Sequence, residues 1–261
     1  MQLLKPEQSQ RDLMESDLVS IGYGREMAQR ILELLSQGDV LDYYLQKGKA
    51  ADCMPITRVT PGYPLQLRKR LGLESPACIW AKGNLSLVER PMVALVGSRN
   101  IRPENEAFAR KVGQEAARQG YVLVSGNARG ADRIAQEACL TEGGSVISIV
   151  ADGLAQKKRH SRVLYLSEEA YDQPFSIQRA LSRNRVIHAL AGVTLVAQCE
   201  LEGGGTWQGT SLNLHYGWSP VRCFRDGSEA MAQLEQRGAE LINPEQLEDL
   251  PALSVPQESL F

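Results

Sequence analysis

The chain has 261 residues, 43% of them hydrophobic and 23% charged, and a formal net charge of −2. These values fit one large soluble globular domain, or a small domain plus a medium one, and argue against a disordered or fibrous chain. No apolar run approaches the roughly 18 residues of a membrane-spanning helix, and the charge balance does not advertise nucleic-acid binding.

Residues 1–55 read as a small helical domain. Leu13, Leu18 and Ile21, then Met27, Ile31, Leu34 and Leu35, recur at helical spacing. Ile21-Gly22-Tyr23-Gly24 before REMAQRILELL resembles a helix-hairpin-helix turn, whose N–H groups would meet a DNA phosphate. A plain helical hairpin is the alternative. A further short helix is expected within Gly38–Gly48. Residues 51–90 are rich in Pro and Gly, among them Pro55, Pro61, Gly62, Pro64, Gly72, Pro76 and Gly83. Residues 56–90 therefore read as a loop-rich lead-in, with Ile79-Trp80-Ala81 as a short edge strand.

From Met92 the texture changes, and residues 91–243 read as one core. Short apolar runs recur at 93–96, 121–124, 146–150, 163–166, 193–197 and 221–224. They are β-branched and do not alternate, as strands buried on both faces should be. Helical patterns separate most of them: Glu104–Gln119 presents Phe108, Val112 and Ala116, with Gly120 as its stop, and Ala131–Leu140 presents Ile134, Ala135 and Ala138. This alternation predicts an α/β fold with a doubly wound, mostly parallel sheet. Residues 244–261 read as an acidic C-terminal tail, either a frayed end or a docking segment. From Gly238 onward there is no Lys or Arg, while Glu240, Glu245, Glu248, Asp249 and Glu258 are acidic.

In such sheets ligands bind beyond the carboxyl ends of the strands. The residues at those ends are Gly97-Ser98-Arg99; then Ser125, Gly126, Arg129 and Asp132 of SGNARGAD; then Lys157 and Lys158 of a basic run reaching Arg162; then Gly204-Gly205-Thr206, with Arg183-Asn184-Arg185 on or entering a helix ahead of them. Glycine-rich turns running into helices aim N–H groups at anions, and arginine adds a planar, permanent charge. Together they predict a basic, phosphate-binding pocket, opened by the strand–turn–helix unit at VALVGSRN. Asp132 reads equally as a helix N-cap. Trp207 and Phe175 are candidates for stacking on a base, though packing is the commoner use of such residues. There is no G-x-S-x-G elbow and no Walker A sequence, and His160, His188 and His215 lack metal spacing, so no catalytic group, metal or cofactor is expected. The five cysteines form no CxxC and read as reduced thiols of a cytoplasmic protein. The N-terminus has no signal-peptide pattern.

Several of these pieces resemble the DprA/Smf family of DNA-processing proteins: VALVGSRN, SGNARGAD, SRNRVIHALAGVTLVAQ, GGGTW–GTSLN and the upstream YPLQLRKRL…PACIWAKGN. The resemblance covers roughly residues 60–240. It implies an extended Rossmann-like core that binds single-stranded DNA in a basic pocket. It also implies a homodimer that hands DNA to the RecA recombinase; no membrane partner is expected, since no apolar run is long enough to span one. On this chain Gly97, Ser98 and Arg99 would hold phosphate, Gly126 would floor the pocket, and Arg183, Asn184 and Arg185 would line it. Gln136 stands where the family has a histidine, and Ala180 where it has an aromatic residue before the RNR. A nucleotide sensor or a nucleotide-cleaving enzyme on a related core is the alternative; the latter needs a Glu after the Gly-Gly-x-Gly-Thr turn, where this chain has Gln208. A protein-binding scaffold using the acidic tail is the third reading.

Overall fold

The computed structural model describes residues 12–254, and the chain divides between Ala50 and Ala51 into two compact units. The first unit holds helices α1 (Glu15–Ser20), α2 (Arg25–Leu35) and α3 (Gly38–Ala50). Gly22, at φ 104°, makes the turn between α1 and α2. Its N–H donates to the Val19 carbonyl and that of Tyr23 to Leu18, so two turn N–H groups that a phosphate would use are already bound. Among the described residues the hairpin is centred on the buried Leu18 and Ala28.

The second unit runs through β1 (Met54–Thr57), α4 (Leu65–Leu71), β2 (Cys78–Gly83), β3 (Met92–Val96), α5 (Pro103–Arg118), β4 (Val122–Ser125), α6 (Ala131–Thr141), β5 (Ser145–Ile149) and β6 (Val163–Ser167). It continues through α7 (Ile177–Ser182), α8 (Asn184–Leu190), β7 (Val193–Val196), α9 (Gly204–Tyr216), β8 (Val221–Phe224), α10 (Glu229–Gln236), β9 (Glu240–Ile242) and α11 (Leu250–Leu253). The strands form one sheet in the order β1-β2-β6-β5-β4-β3-β7-β8-β9. Every pairing from β6 across to β9 is parallel, and only β1–β2 and β2–β6 are antiparallel. No described helix is long and apolar enough to cross a membrane.

Why the strands are apolar throughout is visible in the packing. Ala94, Val96, Val124 and Ile147 belong to one buried cluster, and Val93, Leu95, Leu123 and Val146 to the other. Successive side chains enter opposite faces, and both faces are covered. Gly120 stops α5 at φ 77°, as its position predicts.

The lead-in differs from expectation. Residues 54–57 and 78–83 are strands of the sheet, and the stretch around Trp80 sits between β1 and β6 rather than at the edge. No helix separates β5 from β6.

The acidic tail is also corrected where it is described. Leu247, in a 3₁₀ turn over Pro244–Glu248, joins Leu250 and Leu253 of α11 in the core under α5. The Gln119 amide ties them down, donating to the Leu247 carbonyl at 2.8 Å and accepting from the Leu250 N–H at 2.9 Å. The acidic side chains lie on the outer side of this turn, where Glu248 meets Lys111 at 3.1 Å. The rest of the expected tail, 255–261, lies outside the described residues. Leu250→Ala should cost about 2–4 kcal/mol of stability through lost contacts and a residual cavity. Urea denaturation tests this, and a change below about 0.5 kcal/mol, the usual range for a surface site, would remove Leu250 from the core.

Candidate functional site

The sheet grows outward from β3 in two directions: β4, β5 and β6 follow on one side, and β7, β8 and β9 on the other. The connections leaving β3 and β7 therefore diverge, opening a cleft at the carboxyl ends of these two strands. It measures about 460 Å³ and is walled by Gly97–Asn100 after β3, Asp132 of α6, Arg183 and Asn184 where α7 passes into α8, and Glu200 with Gly203–Thr206 before and within α9.

The turn after β3 uses most of its own polar groups. The Ser98 N–H donates to the Gln198 carbonyl at 2.9 Å, its carbonyl accepts from the Ala131 N–H at 3.2 Å, and its hydroxyl accepts from the Asn100 N–H at 3.3 Å. Gly97 is needed because a Cβ there would press on the Ala131 methyl of α6. Ser98 thus holds the turn. Arg99 is left exposed on the cleft, with no hydrogen bond or ion pair to any described residue. The expectation that the following helix aims its N-terminus here is not met. The Arg102 N–H, ahead of α5, is bound by the Gln198 side chain at 2.9 Å, and Pro103 at the first helical position has no N–H to offer.

The second glycine-rich turn is likewise occupied from within. Asp132, in the first turn of α6, accepts from the N–H groups of Gly126 at 3.0 Å and Ala128 at 3.2 Å. Its carboxylate sits where an external anion would, and Gly130, not Asp132, is the N-cap. Burial pushes the Asp132 carboxyl above its usual range, while Arg183 and the two N–H groups pull the other way. Ser125 is fully buried and takes a hydrogen bond from Gln136, whose carbonyl oxygen accepts from Ser148 at 3.1 Å. Predicted as a phosphate ligand, Ser125 is out of reach of one. Arg129 reaches Asn100 at 2.7 Å on the rim.

Of the two arginines on the cleft, Arg183 is the buried one. It is 8% exposed, donates to the Gly126 carbonyl at 2.9 Å and keeps a buried Nε–H without a partner. Burial lowers its pKa, opposed chiefly by the nearby Asp132; a guanidinium stays charged regardless. Gly126 lies directly beneath it, since a Cβ on Gly126 would overlap the guanidinium. The next residue, Asn184, donates to the Gly205 carbonyl at 3.0 Å and so joins α8 to α9. Arg185, predicted to line the same pocket, turns away. It pairs with Glu168 at 2.6 Å and bonds the Ser182 hydroxyl at 2.8 Å.

Gly203 N-caps α9, and Gly204, at φ 71°, starts it. The first N–H groups of this helix have no helical acceptors and belong to residues lining the cleft, so α9, not α5, presents the helix terminus. Trp207 is buried under the Arg237 guanidinium at 4.8 Å and cannot stack on a ligand. Phe175 is exposed but outside the cleft wall. The basic run is dispersed as well: Lys157 pairs with Asp152 at 2.7 Å, Arg159 with Asp52 at 3.1 Å, and Lys158 is exposed away from the cleft.

One residue escaped the sequence reading. His188, fully buried on α8, meets the Thr194 hydroxyl at 3.2 Å and accepts from the Asn213 side-chain N–H at 3.3 Å, both at Nδ1. The Ser219 N–H on the Asn213 carbonyl oxygen fixes that amide's orientation, so Nε2 carries the ring proton, and it has no partner. Burial, with Arg183 nearby, brings the imidazole down to about 3. Nothing in its surroundings VIHAL distinguishes it from an incidental polar residue on a helix.

A family model described as DNA recombination-mediator protein A matches residues 55–251. The chain is 33% identical over 142 residues to DNA processing protein DprA of Streptococcus pneumoniae, covering 50% of each. It is 29% identical over 153 residues to protein Smf of Escherichia coli, covering 54% of this chain and 40% of that one. These matches thus span about half or less of the two relatives' length. An X-ray structure of the S. pneumoniae DprA superposes with a TM-score of 0.75 at 25% identity, covering 92% of this chain and 87% of that one. DNA processing protein A from Helicobacter pylori, described for its single-stranded DNA binding mode, superposes at 0.64 with 22% identity, over 77% of this chain and 95% of that one, a likeness of fold.

Proposed function

Because this chain belongs to the DNA recombination-mediator protein A family, the DprA/Smf DNA-processing proteins, we propose that it binds single-stranded DNA by holding a backbone phosphate in the cleft between β3 and β7. The observation that carries this is the pairing of Arg99 and Arg183. Arg99 is exposed and unpaired among the described residues, and Arg183 lines the same cleft. A phosphate between them accepts from both guanidinium groups and from the first N–H groups of α9, whose dipole favours an anion. All of these donors meet phosphate oxygens, so the grip is indifferent to base sequence. Asp132 and Glu200 on the same walls keep the cleft from being uniformly cationic.

The role proposed is binding without a chemical step. The glycine-rich turn before α9 is followed by Gln208 and by no Glu within the next turn, so it offers no carboxylate for cleaving a nucleotide. Homodimer formation and transfer of the strand to RecA rest on the family resemblance; sedimentation and a RecA-loading assay on coated single strands test them.

The binding itself is tested by titrating oligo-dT and a panel of mononucleotides at several salt concentrations. Affinity for DNA should fall linearly on logarithmic axes, with a slope near −0.7 per phosphate neutralised. Arg99→Ala should weaken binding to any single strand about ten-fold and flatten the slope by roughly one phosphate contact. Unchanged binding would remove the phosphate from this cleft, and tight capture of one mononucleotide with no DNA binding would make the protein a nucleotide sensor.

A further inference from the structure

The cleft does not end at the N-terminus of α9. A second groove of about 890 Å³ adjoins it, and the two share Leu181, Asn184, Gly205 and Gln208. The groove follows one stripe of α9, in which Gly205, Gln208, Leu212 and Tyr216 succeed one another at intervals of three and four residues. The far end of this stripe is left unpacked, with Leu212 47% and Tyr216 62% exposed. The Tyr216 ring lies nearly parallel to Trp218, with centroids 5.4 Å apart and an interplanar angle of 13°, and Trp218 is itself part of the core. His215 makes only an edge contact, at 79°. The tyrosine ring is thus held against a buried partner with most of its surface still open.

The chemistry of this groove differs from that of the cleft. Arg185 is neutralised by Glu168, Arg70 donates to the carbonyls of Ala189 and Ala191, and Glu74 stands on the wall. What the groove offers is an aromatic ring, leucines and the Gln208 amide, which suit base faces and edges better than phosphates.

We propose that the groove along α9 carries the bases of the strand whose phosphate occupies the Arg99–Arg183 cleft, with Tyr216 as the platform on which a base stacks. This rests on the single-stranded DNA reading and extends it. From Gly205 to Tyr216 the helix rises about 16 Å, at about 1.5 Å per residue. At about 3.4 Å per stacked nucleotide, that is a reach of roughly five nucleotides. A short strand fills the cleft without arriving at Tyr216.

The test compares dT3 with dT12 on the full chain by calorimetric titration. Tyr216→Ala should weaken dT12 about ten-fold, leave dT3 unchanged and leave the salt slope unchanged, because it removes stacking and no charge. Tyr216→Phe, which keeps the ring, should bind dT12 like the parent. A 12-mer of abasic sites should bind the parent protein at least as weakly as dT12 binds Tyr216→Ala. Equal loss at both lengths, no loss at dT12, or failure of Phe to restore binding overturns the platform. A Tyr216→Ala protein that sediments as a smaller species while keeping its DNA affinity assigns the face to a second copy of the chain and overturns it too. Arg99→Ala separates the two readings: it should weaken both lengths, and if it weakens neither, the phosphate cleft itself has failed.

Discussion

Taking the protein from pH 7 down towards pH 3 should remove about 4–5 kcal/mol of folding stability through His188 alone. The imidazole is fully buried and holds its proton only below about 3, against 6.5 for an ordinary histidine. Below pH 6.5 the unfolded chain takes up a proton that the folded chain refuses, so stability is complete above pH 6.5 and drains as the pH falls to about 3. Each pH unit in that window costs about 1.4 kcal/mol. Glu168 and Asp132, whose carboxyls burial raises, contribute with the opposite sign, so the isolating measurement is a difference. Unfolding free energies of the parent and of His188→Gln, from urea titrations at pH 7.5 and pH 4.5, should converge by roughly 2–3 kcal/mol at the lower pH. Parallel pH dependences would mean that the imidazole reaches solvent when charged.

Gly126→Ala should abolish most of the DNA affinity without touching DNA. The added methyl would occupy the space of the Arg183 guanidinium. That group is the far end of a flexible side chain, so it can swing aside and the fold survives. Its bond to the Gly126 carbonyl and its place at the cleft are then lost together. A hydrogen bond to a charged group is worth about 1.5–3 kcal/mol, so dT12 binding should fall roughly 10- to 100-fold while the thermal midpoint moves by only a few degrees. Parent-like affinity would show that Arg183 does not hold the strand.

The frame of the molecule was legible because its strands are short, β-branched and covered on both faces, and because glycines mark the strand ends. β1 was not, since four residues with Pro55 among them make no run. The C-terminal clamp was hidden by its own acidic side chains, although Leu247, Leu250 and Leu253 recur at three-residue intervals. At the site, strand-end position brought Gly97, Ser98, Arg99 and Gly204–Thr206 to one cleft, which Arg183 and Asn184 join from the α7–α8 junction. It did not say which way a side chain points. Ser125 faces inward to Gln136, and Arg185 is one helical step of about 100° beyond Asn184, enough to carry it to another groove. The partners that draw Arg159 and Arg185 away, Asp52 and Glu168, are distant in the sequence, and no local pattern announces them.

The carboxylate of Asp132 inside the turn at 126–128 has a kinetic consequence. A turn that had to wait for a phosphate before folding would make association a two-stage event, with a slow rearrangement after encounter. Here the turn is already closed around a carboxyl group of its own, and it carries the Gly126 carbonyl that orients Arg183. On the proposed reading a strand would meet a finished surface. Capture should then proceed in one exponential phase whose rate climbs linearly with DNA concentration and slows as salt is added, while the lifetime of the complex is decided by how many nucleotides beyond the first have found their places.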